Sequence, residues 1–211
     1  MHSRWLCAFI GQGVISKANR LNYLAHLHIA DHCDSNLLGN LLGDFVKGNP
    51  DSQFPNNVSQ GVRLHRYVDS FTDHHEQVLE VKGLFPNGVR RFSGIALDMF
   101  WDHCLANQWS QFHSNSLNEF CQQAEHRVSL DSHNELPERF LRVSTAMWQG
   151  RWLESYQHLD NIEYALQRMS ARSPRMSRLS DCFPHIERNY DHLVETFSTF
   201  YPDVLTASKS F

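Results

Sequence analysis

The chain has 211 residues, of which 41% are hydrophobic and 20% charged, with a net charge of −4. That hydrophobic share supports a sizeable core, and the length favours one compact domain over two. A mildly acidic chain of this kind excludes the composition of a disordered segment and of a basic nucleic-acid binder.

Fourteen histidines are the unusual feature, because imidazole ligates metals when neutral and carries protons near neutral pH. Cys7, Cys33, Cys104, Cys121 and Cys182 are odd in number and lie far apart. Without a Cys-x-x-Cys pair they read as free thiols of a reducing cytoplasm, not as a disulfide framework or a thiolate zinc site. No apolar run approaches the roughly 20 residues that span a bilayer, so no membrane association is expected.

Residues 1–20 hold one short apolar stretch, Trp5 to Ile10, followed by Gly11, Gly13 and Ser16. The stretch is short for a signal sequence and no clear small-x-small cleavage site follows it. These residues read as a leader or start-site extension, which leaves 21–211 as the folded domain. From there the chain alternates helical patterns with polar breaks and shows almost no strand-like alternation. Helices are expected over Leu21–Cys33 and from a cap at Ser35 or Asn36 through Phe45. A long helix over Val58–Val81 and an apolar, central one over Val89–Trp109 follow. Leu117–Leu130, Pro137–Trp148, Asn161–Ala171 and Phe183–Tyr201 complete an all-α, single compact multi-helix domain.

Ligand-type residues concentrate in three stretches. The first is Asn22-Tyr-Leu-Ala-His26-Leu-His28, with Asp44 at the end of the next helix. The second is His65-Arg66-Tyr-Val-Asp69 and the third is Asp98-Met-Phe-Trp-Asp102-His103. Residues four apart share a helix face, so His65 pairs with Asp69 and Asp98 with Asp102. His26 and His28, two apart, do not share one, so at most one of them enters a common site. Asp98 and Asp102 lie among apolar neighbours, where two carboxylates cost several kcal/mol to bury unless a cation compensates. Asp44 near a helix C-terminus opposes the helix dipole. A mixed carboxylate and imidazole set suits manganese, iron or magnesium better than a thiolate-rich zinc site. Against this stand plainer readings: a surface hydrogen bond for His65 and Asp69, an exposed rim for Asp98 and Asp102, backbone-bonded histidines for His26 and His28. His74, His75, His113, His126, His133, His158, His185 and His192 share no spacing and read as surface residues.

At these residues the sequence resembles the bacterial acyl-carrier-protein phosphodiesterases. The stretches that carry the resemblance are Asn22 to Ala30, Gly39 to Pro50, Leu97 to His103 and Arg172 to Arg175, in one order from about Leu21 to near the C-terminus. Members of that family open at the position of Leu21 here. The resemblance implies an atypical, HD-like branch of the helical HD-type metal phosphohydrolases, departing from the usual motif in the reversed order Asp102-His103. It also implies manganese as cofactor and hydrolysis of holo-acyl carrier protein to apo-acyl carrier protein and 4′-phosphopantetheine.

Under that reading Asp44, His65, Asp69, Asp98 and Asp102 are the preferred metal ligands or their partners. His28 or His103 would protonate the leaving serine oxygen, and Arg66 would clamp the phosphate more readily than Arg63. Arg168, Arg172, Arg175 and Arg178 recur every three or four residues and could steer an acidic carrier protein. Two alternatives differ in outcome: a metal phosphohydrolase of a small phosphodiester or nucleotide, and a non-catalytic helical module that binds carrier protein.

Overall fold

The computed structural model describes residues 23–131 and 136–211. The leader reading, the Leu21–Asn22 opening of the first motif and His133 lie outside the described residues. Within them the chain is all-α, with short 3-10 turns and no strand.

The first helix, α1 (Tyr23–His32), is buried from Tyr23 through Ala30. Its apolar residues are spread around the axis, as befits a helix covered on all sides. It ends in Asp34 with φ of 51°, a left-handed position that a short polar side chain tolerates. The Ser35 amide bonds the Ala30 carbonyl at 2.7 Å and the Asp34 amide bonds Asp31, which is the Schellman ending.

The reversal leads into α2 (Leu37–Leu42), capped by the Asn36 side chain accepting from the Gly39 amide. The expected extension through Phe45 does not occur. The Phe45 and Val46 amides both turn onto the Leu42 carbonyl, so Asp44 sits in a turn beyond the helix, and Arg66 holds the following Val46 and Gly48 carbonyls at 2.8 Å each.

A 3-10 turn at Pro50–Ser52 precedes α3 (Asn56–His74) and α4 (Glu76–Lys82). The single long helix expected here breaks at His75, whose backbone is extended with ψ of 130°. Its ring packs on Phe71 and Phe200, so tertiary packing outweighs helix continuation. Helices α2 and α3 touch backbone to backbone. A Cβ on Gly39 would lie 2.3 Å from the Val58 carbonyl oxygen, and one on Gly61 would lie 2.7 Å from that of Asn36.

The central helix, α5 (Ser93–Asn107), is buried from Ala96 through Ala106. Short α6 (Trp109–Phe112) follows, then α7 (Leu117–Leu130), whose bounds match the expectation and whose start is a Ser116/Glu119 capping box. Next come α8 (Glu138–Gln149), α9 (Trp152–Ser155) and α10 (Leu159–Ala171). After two 3-10 turns the expected last helix divides at Asn189 into α11 (Phe183–Arg188) and α12 (Tyr190–Lys209). Helix α12 continues past Pro202 because Val204 and Ser208 are buried beyond it.

Helices α1, α10, α11 and α12 all pack on α5. Trp101, Phe197, Phe200 and Tyr201 form the aromatic seam between α5 and α12. No helix among the described residues is long and apolar enough to cross a membrane.

Candidate metal centre

Where α1 meets α3, His26, His65 and Asp69 come together with one ligand-type atom from each within 4.8 Å of the others. His26 Nε2 lies 3.2 Å from one Asp69 oxygen, and His65 Nε2 lies 3.6 Å from the other. Asp44 enters from the turn after α2, its Oδ1 at 3.8 Å from the same His65 nitrogen and its side chain almost fully buried. The two imidazoles stack with centroids 3.7 Å apart. Gly43 makes this possible, because a Cβ there would fall 2.1 Å from His65 ring carbons.

The distances around His65 are too long for hydrogen bonds. Its Nδ1 and Nε2, and Nδ1 of His26, are buried without a hydrogen-bond partner. Buried imidazole nitrogens left in this state are unusual. Ligand atoms sharing one octahedral cation sit roughly 3 Å apart, the scale of this cluster. The residues therefore fit a divalent cation, with two imidazole nitrogens and one or two carboxylates as donors.

Burial lowers the His26 pKa and the adjacent His65 adds to that, against the pull of Asp69. His26 is thus held neutral, the form that ligates. At His65 burial acts downward as well, but Asp44, Asp69 and the nearby Asn40 backbone together outweigh it and the net shift is upward. A cation between these groups would take the place of that proton.

Asp102, His28 and His103 are engaged with other parts of the fold. Asp102 is fully buried, and its two oxygens accept from the Leu24 and Ala25 amides at 3.0 and 2.8 Å. It caps the start of α1, where a carboxylate meets unpaired amides and the positive end of the helix dipole. Burial still raises its pKa well above the usual carboxylate range, with those amides opposing. Asp98 is buried on α5 one turn earlier, so neither carboxylate lies on an exposed rim. His28, on the other face of α1, bonds the Tyr201 hydroxyl at 2.8 Å and the Phe112 carbonyl at 3.2 Å. His103 bonds the Tyr156 carbonyl and the Tyr190 hydroxyl. Both ring nitrogens of each are spent on the fold, so neither is placed as a proton donor.

Arg66 holds the loop that follows Asp44 instead of facing the cluster. Arg63 pairs with Asp51 and Asn49. Of the arginine series, Arg175 is exposed, Arg168 and Arg172 are half-buried, and Arg178 is committed to Asp181 and the Gly88 carbonyl. His113, expected at the surface, is stacked on Trp109 and faces Asp31 at 3.4 Å.

The residue that sequence reasoning did not choose is His26. Spacing allowed at most one of His26 and His28 in a shared site, and only the direction in which α1 faces α3 selects between them.

The model of the acyl carrier protein phosphodiesterase family matches residues 21–204. The acyl carrier protein phosphodiesterase of Yersinia pestis is 42% identical over 88% of this chain and 96% of its own length. That of Enterobacter sp. (strain 638) is 39% identical over 90% of this chain and 98% of its own. The corresponding protein of Serratia proteamaculans (strain 568) is 42% identical over 90% and 98%. No solved structure matches the chain. With the family model spanning most of its length and relatives at this identity covering nearly all of theirs, the chain belongs to the acyl carrier protein phosphodiesterase family.

Proposed function

We propose that the chain hydrolyses the phosphodiester joining 4′-phosphopantetheine to a serine of acyl carrier protein, releasing apo-carrier protein and phosphopantetheine. The observation that carries the metal-dependent form of this reading is the buried His26, His65 and Asp69 cluster with its unpartnered imidazole nitrogens. His26, His65 and Asp69 hold the cation, and Asp44 completes the set from the α2 turn. Asp98 is the further carboxylate to test as a ligand.

The mixed nitrogen and oxygen donors favour manganese, with magnesium or iron as substitutes. When bound, such a cation neutralises charge on the phosphoryl oxygens and makes water a nucleophile near neutral pH. Asp44 and Asp69 flank His65 Nε2 at 3.8 and 3.6 Å, and Gly43 leaves room for its ring. The His65-x-x-x-Asp69 pair on α3 with a histidine from α1 supports an atypical HD-like reading. It also moves the ligand set away from the reversed Asp102-His103 pair.

Carrier protein is acidic, and Arg172 and Arg175 at the end of α10 and beyond supply a basic approach for it. The free thiols Cys33, Cys104, Cys121 and Cys182 accord with a cytoplasmic site of action. The test is incubation of metal-stripped protein with holo-carrier protein, with and without manganese, read by intact-mass spectrometry. Loss of the phosphopantetheine mass only with metal is the expected result. Turnover without metal, or none with any divalent cation, would overturn the reading.

A further inference from the structure

Two buried contacts fix α1 against the rest of the protein, one near its start and one on the face away from the cluster. At the start, both oxygens of Asp102 on α5 take the Leu24 and Ala25 amides. Ala25 is the residue directly before His26, so the amide that Asp102 holds at 2.8 Å adjoins the backbone carrying that imidazole. On the other face, His28 is held through Nδ1 by the Tyr201 hydroxyl on α12 and through Nε2 by the Phe112 carbonyl on α6. An axial anchor and a lateral anchor together fix where a helix starts and how it is rotated. Those two quantities decide where His26 points.

We infer that Asp102 and His28 are positioning residues for His26, holding α1 in the register that brings its imidazole against His65 and Asp69. Neither touches the cation; each acts through α1. The inference rests on the metal reading given above. Orienting groups outside a ligand set characteristically set metal affinity by tens of fold.

Asp102 is suited to this work because its two carboxyl oxygens each accept from one of two parallel amide donors. Asparagine keeps its shape and one acceptor but turns an N–H₂ group toward the second amide. That donor faces a donor, so the start of α1 must shift. Tyr201→Phe removes only the hydroxyl that holds His28, in a side chain whose ring remains stacked on Phe197.

The experiment uses the full chain loaded with manganese. Pulsed electron paramagnetic resonance reports the histidine nitrogens coupled to the ion, and titration gives its dissociation constant. Thermal unfolding of the same samples shows that each variant is folded at the measuring temperature. Wild-type protein is expected to show two coupled histidine nitrogens, and His26→Ala one. Asp102→Asn is expected to match His26→Ala, with the manganese dissociation constant raised about tenfold or more. Tyr201→Phe should move both readouts in the same direction. If Asp102→Asn does not fold, Tyr201→Phe decides alone.

Two coupled histidine nitrogens and unchanged affinity in a folded variant would overturn the positioning role. So would weakened affinity with both histidine couplings retained in Asp102→Asn, which would make Asp102 a ligand. Wild-type protein that binds no manganese would overturn the metal reading on which the inference stands.

Discussion

At the scale of single residues, the chain separates histidines that share a helix into opposite employments. His26 keeps Nδ1 unbonded in a buried place, whereas His28 has hydrogen-bond partners at both ring nitrogens. Asp69 is the carboxylate common to both imidazoles of the cluster. Asp69→Asn should therefore weaken manganese binding by at least about tenfold and remove most activity, measured by titration and by release of phosphopantetheine. Unchanged affinity would remove Asp69 from the ligand set.

His103 makes a different prediction. Burial lowers its pKa below the ordinary 6.5, with the Tyr156 carbonyl partly opposing. A base weaker in the folded than in the unfolded state leaves the unfolded chain binding more protons on the acid side. This group thus costs nothing well above pH 6.5, and stability falls as the pH drops through that value toward its folded pKa. Urea unfolding at pH 7.5 and 5.5 should show a smaller acid loss in His103→Asn than in the wild type. Equal losses would mean that His103 titrates alike in both states.

At the scale of elements, the site is built where small residues let helices approach. Gly39 and Gly61 bring α2 onto α3, and Gly43 gives the His65 ring its place. Two alanine substitutions should separate these effects. Gly39→Ala drives a methyl into the Val58 carbonyl, backbone against backbone, and should lower unfolding free energy by about 1–3 kcal/mol in urea titrations. Gly43→Ala instead displaces a side chain, so its main cost should be manganese affinity, seen in the same titration used for Asp69. A Gly43→Ala protein with native affinity would show that the His65 ring has room to turn without leaving the cluster.

Element boundaries also show which rule wins locally. The Ser116/Glu119 box set the start of α7 as local chemistry predicts. The breaks at His75 and Asn189 did not follow from local pattern. Around the first, the His75 ring sits against Phe71 and Phe200, and the chain bends to let it.

At the scale of the whole molecule, net charge is negative, so attraction of an acidic carrier protein depends on local arrangement. Arg175 is exposed and Arg172 half-buried at the end of α10, and Arg178 bonds Asp181 and the Gly88 carbonyl. Charge reversal of Arg172 and Arg175 together should raise KM for holo-carrier protein roughly tenfold with kcat little changed. It should also flatten the salt dependence, because exposed charges are screened within about 10 Å at moderate salt. Unchanged kinetics on intact carrier protein would move the docking surface elsewhere.

The all-α class, the approximate helices and the pairing of His65 with Asp69 were legible because each depends on spacing along one helix. A period of 3.6 residues places i and i+4 on one face whatever the rest of the fold does. The family resemblance was likewise carried by contiguous stretches, from Asn22–Ala30 through Gly39–Pro50 and Leu97–His103 to Arg172–Arg175. The sequence also limited a shared site to at most one of His26 and His28, and placed Asp98 and Asp102 among apolar sequence neighbours. It could not say which histidine, nor what satisfied Asp102. Those answers depend on how α1 is turned about its own axis and where its first amides meet α5. They are relations between helices, set by packing and by buried hydrogen bonds that join residues 77 and 78 positions apart. Spacing along a chain carries no information about them, and only the tertiary structure set Asp102 on the first amides of α1 and His26 beside His65 and Asp69.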